Sequence, residues 1–511
     1  MLDLKITDGR ILDGTGAPWF HGDIGVRGDT IVAIGDLDTM TAATTIDAAR
    51  QIVSPGFIDL LGWSHDSALE DPRVEAKVRQ GVTTEVTGEG FSPGPSPRWP
   101  ALGDFLDHLD QQGTAINFAL LMGASNARRI VIGDGNRAAT ADELRRMEEI
   151  VAQGMRDGAI GLSTSLIYVP AMFSTTEEII RLARVAAAHG GMYFSHIRDE
   201  GDRITEALEE AFRIGREADI PVNIWHLKTS SRPNWGRMPE VIRLIEEARA
   251  EGIDVAANIY PYPASSTNLA TLAPDWGMEG GYGQLVARLN DPAQRPRITE
   301  ALQRQLERRG EKGVYVARIG NPAHAAYEKR FIEEIAAMMN VPTEEALIRL
   351  YIENEGPPQA IFFSMSEDDV QYALKQPFVS IGADSSAPTA AARAEGGAVH
   401  PRAYGTFPRV LGHYARDLKL ITLEDAVRKM TSQAAQRAHL LDRGILRSGM
   451  RADIVVFDPD RVRDLSQFDD PHHFSEGISH VVVNGVPVLR DGEMTDALPG
   501  KTLRGRGYVQ R

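Results

Sequence analysis

The strongest constraint on the fold is an alternation of short apolar segments with amphipathic segments between Ile58 and about Leu440. FALLMGA, GGMYFSHI and FVSIGAD have the length and composition of buried strands, whereas TEEIIRLARVAAAHG and MPEVIRLIEEARAEG have helical periodicity. About eight such strand–helix units predict an α/β fold, specifically a TIM-like (β/α)₈ barrel. The alternative is a doubly wound open sheet.

Both ends of the chain carry strand and turn signals instead. LDLKITDGRILDG near the start and HVVVNGVPVLRDGE near the end alternate β-formers with turn residues, and Asn484-Gly485 is a strong hairpin signal. Each end alone has little core to bury. We therefore predict one small β-sandwich built from residues 1–54 and 440–511, flanking a barrel over 55–439. A charged stretch near 280–325 predicts a helical insertion over the barrel mouth.

Composition excludes several classes of function. The net charge of −16 argues against a nucleic-acid or anionic-membrane surface, since either needs a basic face. The chain has no cysteine, so disulfides and thiolate ligands are excluded. No segment has the length and apolarity of a membrane span, and MLDLKITDGRILDG lacks the pattern of a signal peptide. We expect a cytoplasmic protein with a small-molecule substrate, and a homo-oligomer stays open.

Three polar residues stand at the ends of predicted strands. His196 ends YFSH, His226 ends NIWH, and Asp384 follows VSIGA. Imidazole is a common metal ligand, and an aspartate beside a metal can manage a proton on water. In a parallel barrel the carboxyl ends of the strands converge on one mouth, so these residues can share a site. We predict the chemistry there.

Motifs along the whole chain resemble a known family. PGFID, QGVTTEVTG, GLSTSLIYVPAMFSTTEE, SHIRDE, HLK, IYPYPASST, HPRAYGTFPRVLG and RADIVVFDP occur in the order found in the N-acyl-D-amino-acid deacylases (D-aminoacylases) of the amidohydrolase superfamily. The resemblance implies a (β/α)₈ barrel with a two-ended β-sandwich. It also implies a metal-activated water that attacks an amide carbonyl.

The sequence departs from this family at the first barrel strand. The family usually follows PGFID with a His-x-His pair of metal ligands, whereas Leu61 and Trp63 occupy the two positions here. Leucine and indole do not bind zinc. His65 lies two residues further on. We expect it to contact the substrate or only to form part of the loop, and a ligand role is the alternative.

A second departure concerns the cysteine ligand that the resembling deacylases place after QGVTTEVTG. Glu89 stands there instead, and a carboxylate with two histidines is a recognised zinc set. We therefore predict one zinc ion per chain, held by Glu89, His196 and His226. Asp384 in GADSS matches the catalytic aspartate of the family and is expected to take a proton from water and return it to the leaving amine.

The resemblance also supplies candidates for substrate binding. Arg402 and Lys228 match positions that face the substrate, and a free α-carboxylate suits an arginine. Tyr168 and Tyr260 match positions that line the site, where a phenol could polarise the carbonyl.

The predicted function is metal-dependent hydrolysis of N-acyl amino acids, expected to be of D-configuration, to a carboxylate and a free amino acid. The first alternative is a cyclic-amide or dipeptide hydrolase on the same scaffold. The second is a barrel that has lost catalysis and kept binding, an interpretation that the missing His-x-His pair motivates.

Overall fold

The computed structural model describes residues 1–510 and shows a mixed α/β fold. The strands, in chain order, are β1 (Leu2–Ile11), β2 (Phe20–Arg27), β3 (Thr30–Gly35), β4 (Ala42–Asp47), β5 (Ile52–Pro55), β6 (Phe57–Gly62), β7 (Val82–Thr87), β8 (Asn117–Leu120), β9 (Met122–Gly123), β10 (Gly161–Ser165), β11 (Met192–His196), β12 (Val222–Ile224), β13 (Val255–Ile259), β14 (Ser265–Asn268), β15 (Val314–Arg318), β16 (Arg330–Phe331), β17 (Gln359–Phe362), β18 (Val379–Ile381), β19 (Ile454–Phe457), β20 (Ile478–Val483), β21 (Val486–Arg490) and β22 (Glu493–Met494).

The helices, in chain order, are α1 (Ser64–Glu70), α2 (Glu75–Val78), α3 (Leu102–Gln112), α4 (Ala124–Val131), α5 (Ala141–Asp157), α6 (Thr176–Ala188), α7 (Ile204–Ala218), α8 (Met238–Ala250), α9 (Tyr282–Asn290), α10 (Arg295–Arg309), α11 (Ile332–Met339), α12 (Thr343–Ile352), α13 (Glu367–Leu374), α14 (Ala390–Glu395), α15 (Arg402–Arg409), α16 (Leu423–Met430) and α17 (Ser432–Arg437). No helix in this described part of the chain is long and apolar enough to cross a membrane.

The middle of the chain forms two parallel sheets. One has the order β18-β13-β12-β11-β10-β9 and the other the order β6-β7-β8. A single bridge between Gly62 and Ser385 links the end of β6 to the segment after β18, and only Leu121 separates β8 from β9. The alternation of strands and helices is thus confirmed as an α/β fold. The pairing is nevertheless divided between two sheets, so the closed barrel stays a prediction.

Local sequence explains where the helices begin and end. Thr140 caps α5: its hydroxyl oxygen accepts a hydrogen bond from the amide of Glu143, and the Glu143 carboxylate accepts one from the amide of Thr140. The helix ends at Gly158, whose positive φ of 118° favours glycine. The hydroxyl oxygen of Thr175 caps α6 by accepting a hydrogen bond from the amide of Glu178. The second of these helices, α6, leads directly into β11, the strand that ends with His196.

Both ends of the chain contribute to one further sheet. Its order is β22-β21-β20-β19-β5-β1-β2-β3, with β4 paired to β1. The two ends meet where β19 pairs antiparallel with β5, Ile454 opposite Pro55 and Phe457 opposite Ile52. The joint contribution of both ends agrees with the sequence prediction. Whether the sheet is half of a sandwich stays a prediction, as do the domain boundaries.

The segment around the predicted insertion forms a small unit with its own core. Within 280–325 lie α9, α10 and β15, and the flanking strands extend the unit into a sheet of order β14-β17-β15-β16. Buried residues of this unit, including Leu285, Leu302 and Leu347, pack together apart from the main core. The segment 280–325 thus contains two helices and a strand, and its role as an insertion over the barrel mouth stays a prediction.

Candidate metal centre and active site

The predicted site residues lie at the carboxyl ends of the parallel strands. His196 is the last residue of β11, and His226 follows β12 by two residues. Glu89 follows β7 by two residues, and Asp384 follows β18 by three. Tyr260 directly follows β13. Because these strands run parallel, their carboxyl ends share one edge, which brings together residues far apart in sequence.

Glu89, His196 and His226 form one buried cluster. The Oε1 atom of Glu89 lies 2.6 Å from Nδ1 of His196 and 3.1 Å from Nε2 of His226. The two imidazole rings are nearly perpendicular, with centroids 4.3 Å apart. One ligand atom from each residue lies within 4.8 Å of the others. One carboxylate and two imidazoles so arranged suit a zinc ion with an open coordination position.

Glu200 and Lys228 contact the second ring nitrogen of His226. The Nδ1 atom of His226 lies 2.9 Å from Oε1 of Glu200 and 2.8 Å from Nζ of Lys228. Lys228 also donates a short hydrogen bond to Glu200. A carboxylate on the second ring nitrogen is the usual way in which a ligating histidine is oriented. Sequence reasoning gave Glu200 no role in the site, although its position four residues after His196 was a signal.

The electrostatics of this cluster favour a cation. Burial alone would lower the pKa of His226, and Lys228 acts in the same direction, but Glu200 and Glu89 raise that pKa to about 9. Burial raises the pKa of Glu89, yet its hydrogen bonds with His196 and His226 bring the pKa well below the ordinary range. The carboxylates of Glu89 and Glu200 therefore favour a positive charge at this position, which a metal ion can supply.

Asp384 lies between an indole and a guanidinium. Its Oδ1 accepts a hydrogen bond of 3.2 Å from Nε1 of Trp63, and its Oδ2 lies 2.7 Å from Nη1 of Arg402. The backbone N–H of Asp384 donates to the carbonyl of Leu61 at 2.7 Å. The φ of Asp384 is +50°, a strained left-handed conformation that turns the chain at the strand end.

Arg402 is buried and holds several groups at once. Besides its ion pair with Asp384, its Nη2 donates to the carbonyl of Ser266 at 3.2 Å. Its guanidinium carbon lies 4.5 Å from the ring centroid of Tyr260, a cation–π contact. Burial raises the pKa of Tyr260 well above its usual value despite Arg402, so its phenol stays protonated. The pairing of Arg402 with Asp384 was not foreseen.

Tyr168 lies beside the histidine cluster. Its ring meets that of His196 edge-on at 5.5 Å, and its hydroxyl shares a hydrogen bond of 2.8 Å with Thr267. Burial, with Glu89 nearby, raises the pKa of the Tyr168 phenol well above its ordinary value. The group can therefore act as a hydrogen-bond donor at neutral pH.

The structure places His65 apart from these residues. His65 lies in α1, where its Nδ1 is 2.6 Å from Oγ1 of Thr87 and its ring meets Phe105 edge-on. Leu61 is fully buried in an apolar cluster with residues such as Phe194. Contact of His65 with the substrate stays a prediction.

A large cavity adjoins the cluster. Its volume is about 690 Å³, and Tyr168, Glu200 and Thr267 line it together with residues of α9 and α10 such as Tyr282 and Arg309. A cavity of this size accommodates a small organic molecule. The insertion thus supplies one wall of the space beside the histidines.

Comparison with known proteins places the chain among hydrolases. Residues 44–489 match the model of the amidohydrolase family. The chain is 38% identical to a D-aminoacylase of Alcaligenes xylosoxydans xylosoxydans, over 98% of this chain and 97% of that relative.

Two solved structures share both fold and sequence with it. One is an N-acyl-D-glutamate deacylase from Bordetella bronchiseptica, complexed with zinc and a phosphonate mimic of the tetrahedral intermediate. It is 35% identical to this chain with a TM-score of 0.84, and the match covers 98% of this chain and 99% of that one. The other is a D-aminoacylase described as having a binuclear metal center, with one-metal activation and second-metal attenuation. It is 37% identical with a TM-score of 0.83, covering 99% of this chain and 100% of its own.

Proposed function

The chain belongs to the amidohydrolase family, and we propose that it is a metal-dependent deacylase that hydrolyses N-acyl-D-amino acids to a carboxylate and a free amino acid. The observation that carries the proposal is the buried cluster of Glu89, His196 and His226 beside Asp384 at one strand edge. The near full-length similarity to D-aminoacylase supports the amide substrate and its D-configuration.

One zinc ion per chain, bound by Glu89, His196 and His226, is the metal content we propose. The donor set of one carboxylate and two imidazoles, with Glu200 orienting His226, fits such an ion. When bound, the ion supplies a Lewis acid that polarises the amide carbonyl and lowers the pKa of water. The zinc in the similar Bordetella structure supports this choice of metal.

Asp384 is the proposed general base and acid. Its carboxylate accepts a proton from the attacking water as the oxygen bonds to the amide carbon. Asp384 then donates that proton to the nitrogen as the carbon–nitrogen bond breaks, so the amine leaves neutral and the carboxylate is restored. Its fixed position between Trp63 and Arg402 keeps its oxygens near the strand edge where the histidines lie.

The remaining residues bind and orient the substrate in this proposal. Arg402 is the partner of the α-carboxylate, with Lys228 and His65 as further contacts and the phenols of Tyr168 and Tyr260 as donors to carbonyl oxygen. The cavity lined by Tyr168 and Glu200 has room for the acyl group or the amino-acid side chain.

The finer architecture is also proposed. The bridge between Gly62 and Ser385 supports a closed (β/α)₈ barrel, because it joins the outer strands β6 and β18 of the two parallel sheets. The pairing of β19 with β5 supports a small β-sandwich made from both ends. A cytoplasmic location and a homo-oligomeric assembly stay predictions.

A substrate panel tests the function. N-acetyl-D- and N-acetyl-L-amino acids are incubated with the enzyme as purified, after chelation, and after zinc is restored. We expect turnover of D-substrates that chelation abolishes and zinc restores. Turnover confined to cyclic amides or dipeptides would move the assignment to the first alternative, and binding without turnover would support the second.

A further inference from the structure

We propose that Trp63, which stands at one of the two positions of the family's His-x-His pair of metal ligands, is a positioning residue that together with Arg402 holds Asp384. The centre of this chain would then work with one metal and resist attenuation by a second. This inference rests on the proposed deacylase function and concerns how its general base is held. Trp63 was noted in the sequence only for what it cannot do, since indole is not a metal ligand.

The contacts of Asp384 are the first evidence. The indole N–H of Trp63 donates to Oδ1 at 3.2 Å, while Arg402 approaches Oδ2 at 2.7 Å. One carboxylate oxygen therefore accepts a hydrogen bond from the indole, and the other is in an ion pair with the guanidinium. A donor on one oxygen and a cation beside the other restrict the rotation of the carboxylate, which is the orienting effect that a coordinated cation would otherwise provide.

Two backbone hydrogen bonds join the segment that carries Trp63 to the segment that carries Asp384. The amide of Asp384 donates to the carbonyl of Leu61 at 2.7 Å, and the amide of Trp63 donates to the carbonyl of Ser385 at 3.0 Å. The strand end that carries the indole and the strand end that carries the carboxylate are thus bonded reciprocally. Their separation is set by the backbone and not by the side chains alone.

Asp59, Lys77 and Glu85 form a buried charged network next to the junction between these two strand ends. Nζ of Lys77 donates to Oδ2 of Asp59 at 2.6 Å and lies 3.2 Å from Oε2 of Glu85, and all three side chains are 0% exposed. A buried lysine between two carboxylates costs desolvation energy that a purely apolar core avoids. The outer contacts of this network show which backbone segments it holds.

Those contacts reach both sides of the junction. Glu85 accepts hydrogen bonds of 2.7 Å from both the amide and the hydroxyl of Ser64, the residue after the indole. Lys77 donates to the carbonyl of Ser385, the residue after the catalytic carboxylate, at 2.9 Å. A Cβ added to Gly62 would lie 2.0 Å from Cδ of Glu85, so glycine is required for this approach. The network therefore braces the two neighbours of the interacting pair.

A second metal ion does not fit at this position. Within residues 1–510, Glu89, His196 and His226 form the one group with three closely spaced metal-ligand side chains. Leu61 offers no ligand atom, and indole Nε1 carries a hydrogen and is a donor only. A similar D-aminoacylase is described with second-metal attenuation, so the absence of the second site predicts a different response to excess zinc here.

The test combines metal counting with kinetics on three variants. Trp63→Phe removes the indole N–H that contacts Asp384 but keeps an aromatic ring. Trp235→Phe is the matched control, because it removes an indole hydrogen bond to the carbonyl of Ser364. The double variant Leu61→His/Trp63→His places two imidazoles at the positions of the family's His-x-His pair. Metal content is measured by plasma mass spectrometry across a zinc titration, together with Tm, kcat and KM for an N-acetyl-D-amino acid.

We expect the parent to bind one zinc and to keep its activity in excess zinc. Trp63→Phe should keep that zinc, Tm within a few degrees and KM within about twofold, while kcat falls about ten- to hundredfold because the base is no longer held. Trp235→Phe should match the parent. The double-histidine variant should bind a second zinc.

Two results would overturn the inference. One is a parent that binds two zinc ions and loses activity as the second enters, and the other is a Trp63→Phe variant with the kcat of the parent. If the double-histidine variant fails to fold, the measurements on the parent and on Trp63→Phe still decide the question. If no N-acyl amino acid is hydrolysed, the proposed function fails, while zinc counting on parent and variants still decides the second-site claim.

Discussion

Arg402 contacts the side chain of Asp384, with Nη1 and Oδ2 2.7 Å apart and both side chains largely buried. The sequence predicted separate functions for the two residues, one in binding a carboxylate and the other in proton transfer. Their ion pair means that a substrate carboxylate approaching Arg402 would come close to Asp384, the proposed general base. Substrate binding and proton transfer are therefore expected to influence each other.

The pairing leads to a prediction for Arg402→Lys. Lysine keeps the charge but loses the planar geometry that contacts a carboxylate with two nitrogens. KM for an N-acyl-D-amino acid should rise about tenfold or more, and kcat should fall too, because Asp384 loses part of its support. An amidated substrate should be poor for the parent and little worse for the variant. Equal use of acid and amide by the parent would exclude recognition of a free carboxylate.

Asp384→Asn tests the general base. The amide has nearly the same shape but cannot accept the proton of water, so kcat should fall by about a thousandfold or more. Zinc content and Tm should stay close to those of the parent, as measured by plasma mass spectrometry and calorimetry. Turnover near that of the parent would assign proton transfer to another group.

His226→Ala tests the metal centre. The substitution removes one of three predicted ligands and also the contact partner of Glu200 and Lys228. Both zinc content and activity should be lost, whereas His473→Ala, at an exposed histidine paired with Asp470, should change neither. Zinc retained at full stoichiometry in the His226 variant would show that the ligands lie elsewhere.

Glu89→Gln and Glu89→Cys separate charge from position. The neutral amide should weaken zinc binding about tenfold or more, because it removes a charged ligand that bridges both imidazoles. A thiolate is a good zinc ligand, so Glu89→Cys should keep the metal. Competition with a chromogenic chelator measures both affinities, and zinc binding unaffected by Glu89→Gln would remove Glu89 from the ligand set.

Lys77→Met should destabilise the fold in a pH-dependent manner. Burial already raises the pKa values of Asp59 and Glu85, and Lys77 opposes that rise, so its removal should raise both values further. A carboxyl whose folded pKa is raised contributes stability that is present below its unfolded pKa and is lost as pH rises through the folded pKa. The loss should be about 3–5 kcal/mol near neutral pH and smaller at pH 5.

Urea unfolding of the Lys77 variant at pH 5 and pH 8 measures this difference, with Lys375→Met at an exposed position as the control. A loss of stability that is equal at both pH values would mean that the two carboxyls do not titrate in the variant.

Part of the site was accessible from the sequence. His196, His226 and Asp384 each end or follow a strand with an apolar pattern, and parallel strands bring their carboxyl ends together. Glu89 was inferred from a departure from a resembling family. The comparisons confirm that family, and the structure gathers Glu89 with the two histidines.

The remainder depends on contacts between distant segments. Nothing near Trp63 in the sequence indicates that its indole N–H faces the carboxylate of Asp384, which lies 321 residues later in the chain. A glutamate in a strand such as VTTEVT would ordinarily face solvent. Glu85 is nevertheless buried, and its carboxylate contacts Lys77 and accepts a hydrogen bond from Ser64. Pairwise partners of this kind have no local periodicity, so patterning cannot reveal them.

The antiparallel pairing of β19 with β5 has a consequence for synthesis on the ribosome. β5 leaves the ribosome early, whereas its partner β19 is among the last elements to emerge. Until then one edge of β5 lacks its backbone partner, and an open strand edge can pair with another nascent chain. Closing so distant a contact is also slow. Completion of this sheet is therefore expected to be a late step in maturation, and one that depends on protection of the nascent chain.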